Sequence, residues 1–290
     1  MKRIVNILKR FKGFFRGVSK IPAAILILLL LAAVFANYLA LHNPEIGDPR
    51  ERLLPTCFEK GGSLKFPLGT DTLGRDVFSR VIFGARVSLL VAFSAVFLSA
   101  CFGTLMGVCA GFFGGWIDQI VMRFTDAWLS IPTIMFATLL AVVLGPSITN
   151  IIIIMGLIYW TRYARVTRGE ALSLKTRDFV HLATIAGCSK FRIIRKHILP
   201  NVMNSVITLA SLQIGVVVVV EASLTFLGVG VPPPKPAWGL MLSEGRGGLF
   251  TGQWWLIVFP GLAIALLVMS FNLLGDWLRR RLDPHQQSLL

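Results

Sequence analysis

Of the residue types that bind metals or attack substrates, the chain holds four histidines and four cysteines. His42, His181, His197 and His285 are dispersed, and Cys57, Cys101, Cys109 and Cys188 form no CxxC pair and no disulfide framework. A Walker A loop needs Gly-Lys followed by Ser or Thr, so that backbone donors and the Lys cradle phosphates. The sequence has no Gly-Lys dipeptide and no GxGxxG. ATP hydrolysis by that mechanism is excluded, and no catalytic residue, metal site or cofactor is expected.

The remaining candidates are charges inside apolar runs. A charge near the centre of a membrane costs about 2.5–3.5 kcal/mol on insertion scales, so each needs a reason. Glu221 follows the apolar run 216–220. Two readings compete for it: a polar group on a substrate path or gate, and a structural role, either a hydrogen bond between helices or a place near the outer interface. Arg123 and Asp126 are three residues apart, the spacing of one helix face, and predict a local ion pair.

The segment Arg165–Asn201 is the most informative. Asp178 is placed to cap a short helix. Phe179, Leu182, Ala183 and Ala186 follow at i, i+3, i+4 and i+7, giving one apolar face, and Gly187 can end the helix with positive φ. The basic run Lys190, Arg192, Arg195, Lys196 comes next, before Leu199-Pro200 opens another helix. Such an amphipathic helix either lies on lipid or docks into a partner's groove, and periodicity does not choose between them.

The elements that must position these residues are membrane spans. Hydrophobic residues make up 55% of the 290 and charged ones only 15%, against about 25% charged in soluble chains. Ile21 to Leu41 is uncharged for 21 residues, about 31 Å of helix, enough to cross the hydrocarbon. A secretory signal is the competing reading, but its apolar region usually runs only about 7–15 residues. Further spans are predicted over 87–110, 120–144, 148–163, 202–228 and 254–274. In the second, Gly103, Gly107 and Gly111 share one face and let another helix approach closely. The fourth needs Arg162 to reach the interface.

The net charge of +15 fits topology better than nucleic acid, since no basic stripe is interleaved with stacking aromatics. With the N-terminus inside, 20 Lys and Arg fall on the cytoplasmic side against 9 outside, which places both termini in the cytoplasm. The expected organisation is a basic amphipathic helix on inner-leaflet lipid (1–20, with a frayed tail as the alternative), a first span (21–41) and an outer segment (42–86). A five-helix core (87–278) containing the cytoplasmic segment 165–201, and a cytoplasmic tail (279–290), complete it. In the outer segment, Val77, Phe78, Val81, Ile82 and Ala85 predict a short interfacial helix leading into the second span. The fold class is an all-α polytopic membrane protein with six transmembrane helices.

Asp178-Phe179-Val180-His181-Leu182-Ala183-x-x-x-Gly187, followed after nine residues by His197-Ile198-Leu199-Pro200, resembles the EAA loop of ABC importer permeases. The family's Glu-Ala-Ala is His181-Leu182-Ala183 here, which puts any role of that Glu in doubt. Leu68-Gly-Thr-Asp71-x-x-Gly-Arg75-Asp76-Val-x-Ser-Arg80, Gly111-x-x-Gly-Gly-Trp-x-Asp118, Glu221-Ala-x-Leu-x-Phe-Leu-Gly-x-Gly230 and Phe271-Asn-Leu-x-Gly-Asp276 look like the dipeptide, oligopeptide and nickel branch, and its C-type subunit in particular. The resemblance implies a type I ABC importer permease fold in a bacterial or archaeal cytoplasmic membrane. It also implies a B-type permease partner, two ATPase subunits on the inner face, one of them docked on the Asp178–Gly187 helix of this chain, and an extracytoplasmic substrate-binding protein. The implied substrate is a small peptide, with nickel as the alternative; an ATP-independent carrier or channel is the reading from another class.

Overall fold

The computed structural model describes residues 20–282. The basic N-terminal helix predicted for 1–20, apart from Lys20, and the tail beyond residue 282 lie outside the described residues. Every regular element among the described residues is helical, and the one sheet-like contact is an isolated antiparallel bridge between Thr70 and Asp76.

The first expected span is divided at Phe35 into α1 (Lys20–Val34) and α2 (Ala36–Leu39). An irregular segment follows, and its turns are tight. Gly74 has φ +74°, and a Cβ there would stand 1.9 Å from the Asp48 carbonyl oxygen. Asp76 then caps α3 (Val77–Phe113), its carboxylate accepting from the Phe78 and Ser79 amides at 3.2 Å. The separate interfacial helix expected at Val77–Ala85 does not exist; those residues are the first turns of a continuous 37-residue helix. Gly84 is too weak a breaker, and its missing side chain instead admits the Trp238 indole, which donates to the Val81 carbonyl at 2.9 Å.

The third expected span, 120–144, is two helices, α4 (Gly115–Leu129) and α5 (Thr133–Leu144), bent by 89°. Pro132 stands at the break, where a ring without an N–H cannot continue the ladder and pushes Ile131 away from helical geometry. α6 (Ile148–Lys175) is followed by the short α7 (Asp178–Ile185), then α8 (Lys190–Ile193), a π-helical turn (Ile194–Ile198) and α9 (Leu199–Phe226). α10 (Trp238–Gly245) precedes α11 (Trp255–Leu282), which contains Pro260.

Among the described residues, three helices are long and apolar enough to cross a membrane by themselves: α3, the continuous run Lys190–Phe226, and α11. The α4–α5 pair makes a fourth if taken as one broken span. α6 falls short because its second half carries Arg162, Arg165, Arg168, Glu170 and Lys175.

The most extensive packing joins α3 to α6. One large apolar core runs through α1, α3, α5, α6, α9, α10 and α11. A second, smaller cluster gathers Val108 and Phe112 of α3, Ala171 of α6, Val180 of α7, Ile193 of α8, and Ile198 and Val202 at the head of α9. That cluster anchors the predicted docking segment to the ends of three long helices.

Candidate functional site

α7 projects at the end of the bundle marked by the smaller core. Its N-cap is Arg177, not Asp178, which is the first helical residue and makes no side-chain cap bond. Gly187 follows the helix with φ +73°, and its amide donates to the Thr184 carbonyl at 3.0 Å. The apolar face is split more finely than its spacing predicts. Val180 is buried and Ala183 half-buried against the cluster, whereas Phe179, Leu182 and Ile185 are 40%, 65% and 83% exposed, with Ala186 exposed beside them. Phe179 leans toward the His197 ring at 6.1 Å, and His181 is exposed. Ile185 belongs to the exposed face although its position was not singled out; the step of three from Leu182 is the signal that finds it.

The glycine face of α3 lies on α6. A Cβ on Gly103 would meet the Trp160 carbonyl oxygen at 2.2 Å, one on Gly107 the Ala164 oxygen at 2.3 Å, and one on Gly111 the Arg168 oxygen at 2.6 Å. In each case the obstacle is helix backbone, so the seam closes only with hydrogen at these positions. Beside it, α4 is tied to α6 by two ion pairs. Arg168 forks onto both oxygens of Asp118, and Arg165 meets Asp126 at 2.6 Å. The expected local pair of Arg123 with Asp126 is therefore replaced by a contact between helices. An arginine on the facing helix can meet the carboxylate end-on, whereas two side chains on one turn must bend toward each other.

Glu221, on the half of α9 remote from α7, is fully buried. Its carboxylate accepts from the Ser88 hydroxyl of α3 at 3.0 Å and from the Thr225 hydroxyl one turn on at 2.9 Å. The fold brings it nowhere near the Asp178–Gly187 helix.

Sequence reasoning missed a buried charge cluster around the start of α3. Asp71, Arg75 and Arg80 are 5%, 2% and 0% exposed. Asp71 Oδ2 accepts from Arg75 Nε at 2.7 Å and from Arg80, while its Oδ1 accepts the Leu73 and Arg75 amides at 2.8 and 3.0 Å. Glu244 of α10 completes the group, 2.7 Å from Arg75 Nη2 and 2.9 Å from Arg80 Nη1. All but Glu244 lie in the Asp71–Arg80 motif, so the motif itself was visible; its partner, 164 residues beyond Arg80, was not.

Small-residue seams, a buried ionic knot and, at the opposite end, an exposed apolar helix are the features that set this bundle apart. Residues 103–288 match the family described as the binding-protein-dependent transport system inner membrane component.

The chain belongs to this family.

Among its relatives is a glutathione transport system permease protein GsiD of Pectobacterium atrosepticum, 36% identical over 279 residues, covering 96% of this chain and 91% of that protein. The GsiD of an Escherichia coli strain is 41% identical over 262 residues, with 90% and 84% covered. The dipeptide transport system permease protein DppC of Haemophilus influenzae is 37% identical over 259 residues, with 89% and 88% covered. Among solved structures, a chain of the MetNI methionine ABC transporter in inward facing conformations superposes with a TM-score of 0.58 at 17% identity, over 70% of this chain and 96% of that one. This permease therefore has the type I ABC importer fold, embedded in a membrane, and is a permease subunit of an ABC importer.

Proposed function

We propose that the chain forms half of the translocation path of a short-peptide importer in a bacterial cytoplasmic membrane, and couples that path to ATPases at its inner face. Glutathione is itself a tripeptide, so the relatives named for glutathione and for dipeptides share one substrate chemistry. In this reading the chain threads the bilayer six times, with α1–α2, α3, α4–α5, α6, α9 and α11 as the spans and both ends in the cytoplasm, consistent with the bias of Lys and Arg. A related B-type permease pairs with it, two ATPase subunits bind below, and an external binding protein delivers substrate.

The observation that carries the coupling role is the two-faced α7. Val180 fixes it to the core that joins α3, α6, α8 and α9, while Phe179, Leu182 and Ile185 face outward. A partner that moves those three side chains moves the ends of three long helices together, a rigid-body switch between inward- and outward-open states. Asp178, His181 and Ala186 flank the same surface, and Gly187 fixes where it ends. Glu221, enclosed against Ser88, serves in this reading as the polar pin of the outer gate, holding α9 to α3.

The test is Leu182→Glu with Ile185→Glu, and separately Gly187→Val. The first puts charge on the exposed face; the second puts a β-branched residue at a φ it rarely adopts. Both are expected to abolish peptide uptake and copurification of the ATPase, with membrane insertion unchanged. Full uptake by either variant would overturn the docking assignment.

A further inference from the structure

Arg162 of α6 and Gln213 of α9 meet between the two helices. Each is the fifteenth residue of a 28-residue helix, α6 and α9 respectively. Arg162 directly follows the uncharged part of α6, 148–161, and comes three residues before Arg165, so it stands toward the inner end of that proposed span. Arg162 is exposed, while Gln213 is 1% exposed. Arg162 Nη1 donates to Gln213 Oε1 at 3.3 Å, and the guanidinium stands 5.4 Å from the Tyr159 ring centre. No carboxylate among the described residues pairs with it; Asp126 is taken by Arg165.

The surroundings are rich in donors and short of acceptors. Gln213 Nε2 and Trp128 Nε1 are buried without a hydrogen-bond partner among the described residues. Trp128, Ile131, Thr133, Tyr159 and Arg162 line one cavity of about 30 Å³ at the α4–α5 break. Interrupted helix at membrane depth persists where it lines a polar cavity, and such breaks are where transporters hold anionic groups. An exposed guanidinium without a carboxylate partner thus stands beside two buried donors that have no acceptor, a setting that favours a negatively charged ligand.

We propose that Arg162, positioned by the buried Gln213, contacts the terminal carboxylate of the peptide as it crosses the membrane. Arg162 is the substrate-contacting group and Gln213 a positioning residue that fixes the guanidinium plane. The inference rests on the short-peptide reading above and adds a residue that discriminates charge within the path.

The experiment uses the complete transporter with its partner subunits in liposomes, supplied with labelled Ala-Ala and with its C-terminal amide. Uptake by each variant is divided by that of the unaltered complex for the same substrate, so that preferences of the delivery protein cancel. Arg162→Gln is expected to lower uptake of the free acid roughly tenfold or more, as loss of a charged hydrogen bond implies, with less than about a threefold effect on the amide. Gln213→Leu should show the same selectivity more weakly, and Arg162→Lys should recover part of the free-acid uptake. Equal losses on both substrates, no loss, or failure of Arg162→Gln to copurify with the partner permease, as a subunit contact would give, each overturns the proposal. A second measurement needs no amide. With the four native cysteines replaced, Arg162→Cys should regain free-acid uptake after a positively charged methanethiosulfonate and not after a negatively charged one; rescue by both or by neither overturns it. Absence of uptake by the unaltered complex removes the peptide assignment itself and this inference with it, an outcome distinct from loss in the variants alone.

Discussion

Asp71→Ala removes the acceptor around which the outer ionic knot is built. In the native protein one carboxylate oxygen holds Arg75 Nε at 2.7 Å and also Arg80, and the other holds two backbone amides. Both arginines are at most 2% exposed, so water does not replace what is lost. After the substitution two buried guanidinium groups face Glu244 alone. Removing one partner of a buried pair costs about 3–5 kcal/mol. At about 2–4 °C per kcal/mol for a chain of this size, the midpoint of thermal unfolding should fall by roughly 6–20 °C. The internal control is Lys65→Ala, which breaks a 2.6 Å pair with Glu51 whose side chains are 54% and 29% exposed. Surface pairs contribute about 0–1 kcal/mol, so that shift should stay within about 4 °C. Tryptophan fluorescence on the detergent-purified complex reads both. A double variant, Asp71→Leu with Arg80→Leu, leaves Arg75 with Glu244 and should be less damaging than Asp71→Ala, because no charge is then stranded. If Asp71→Ala shifts the midpoint no more than Lys65→Ala, the knot is solvated and the reasoning fails.

Two further expectations concern the seams and the sidedness. Gly107→Leu drives a side chain into the Ala164 backbone, where a Cβ already approaches within 2.3 Å; destabilisation of about 1–3 kcal/mol or more should appear as poor recovery of folded protein in size-exclusion profiles, and an unchanged profile would contradict the α3–α6 contact. Cys57, in the outer segment, should react with a membrane-impermeant maleimide added outside intact cells, whereas Cys188, at the base of α7, should react only in inverted vesicles. The opposite labelling pattern would reverse the topology.

Much of the architecture was legible because it is local. Apolar runs announced the long helices α3, α9 and α11, the 3-4 spacing of Phe179, Leu182, Ala183 and Ala186 announced α7, and Gly187 lies where that helix stops. The errors were also local and instructive. Asp126 had two arginines within reach of any plausible packing, Arg123 on its own turn and Arg165 on a neighbouring helix, and one-dimensional spacing favours the nearer in sequence. The bend at 130–132 was written in Pro132, yet a proline in an apolar run is compatible with a kinked span as well as with an 89° turn, and packing chose the turn.

By itself, then, the sequence showed a helical membrane protein that lacks a Walker A loop, and located a short amphipathic helix to within one residue of its start. Those properties follow from hydropathy and from periodicity over a few turns, which depend on neighbours in the chain. Tertiary structure alone decided that Glu244 closes the circle of Asp71, Arg75 and Arg80, that Ser88 donates to Glu221, and that Arg162 finds Gln213. Each of those meetings joins positions from 51 to 169 residues apart. Charges buried together are stable only as a complete set, and which residues complete it is fixed by how helices cross, a property no window of the chain contains.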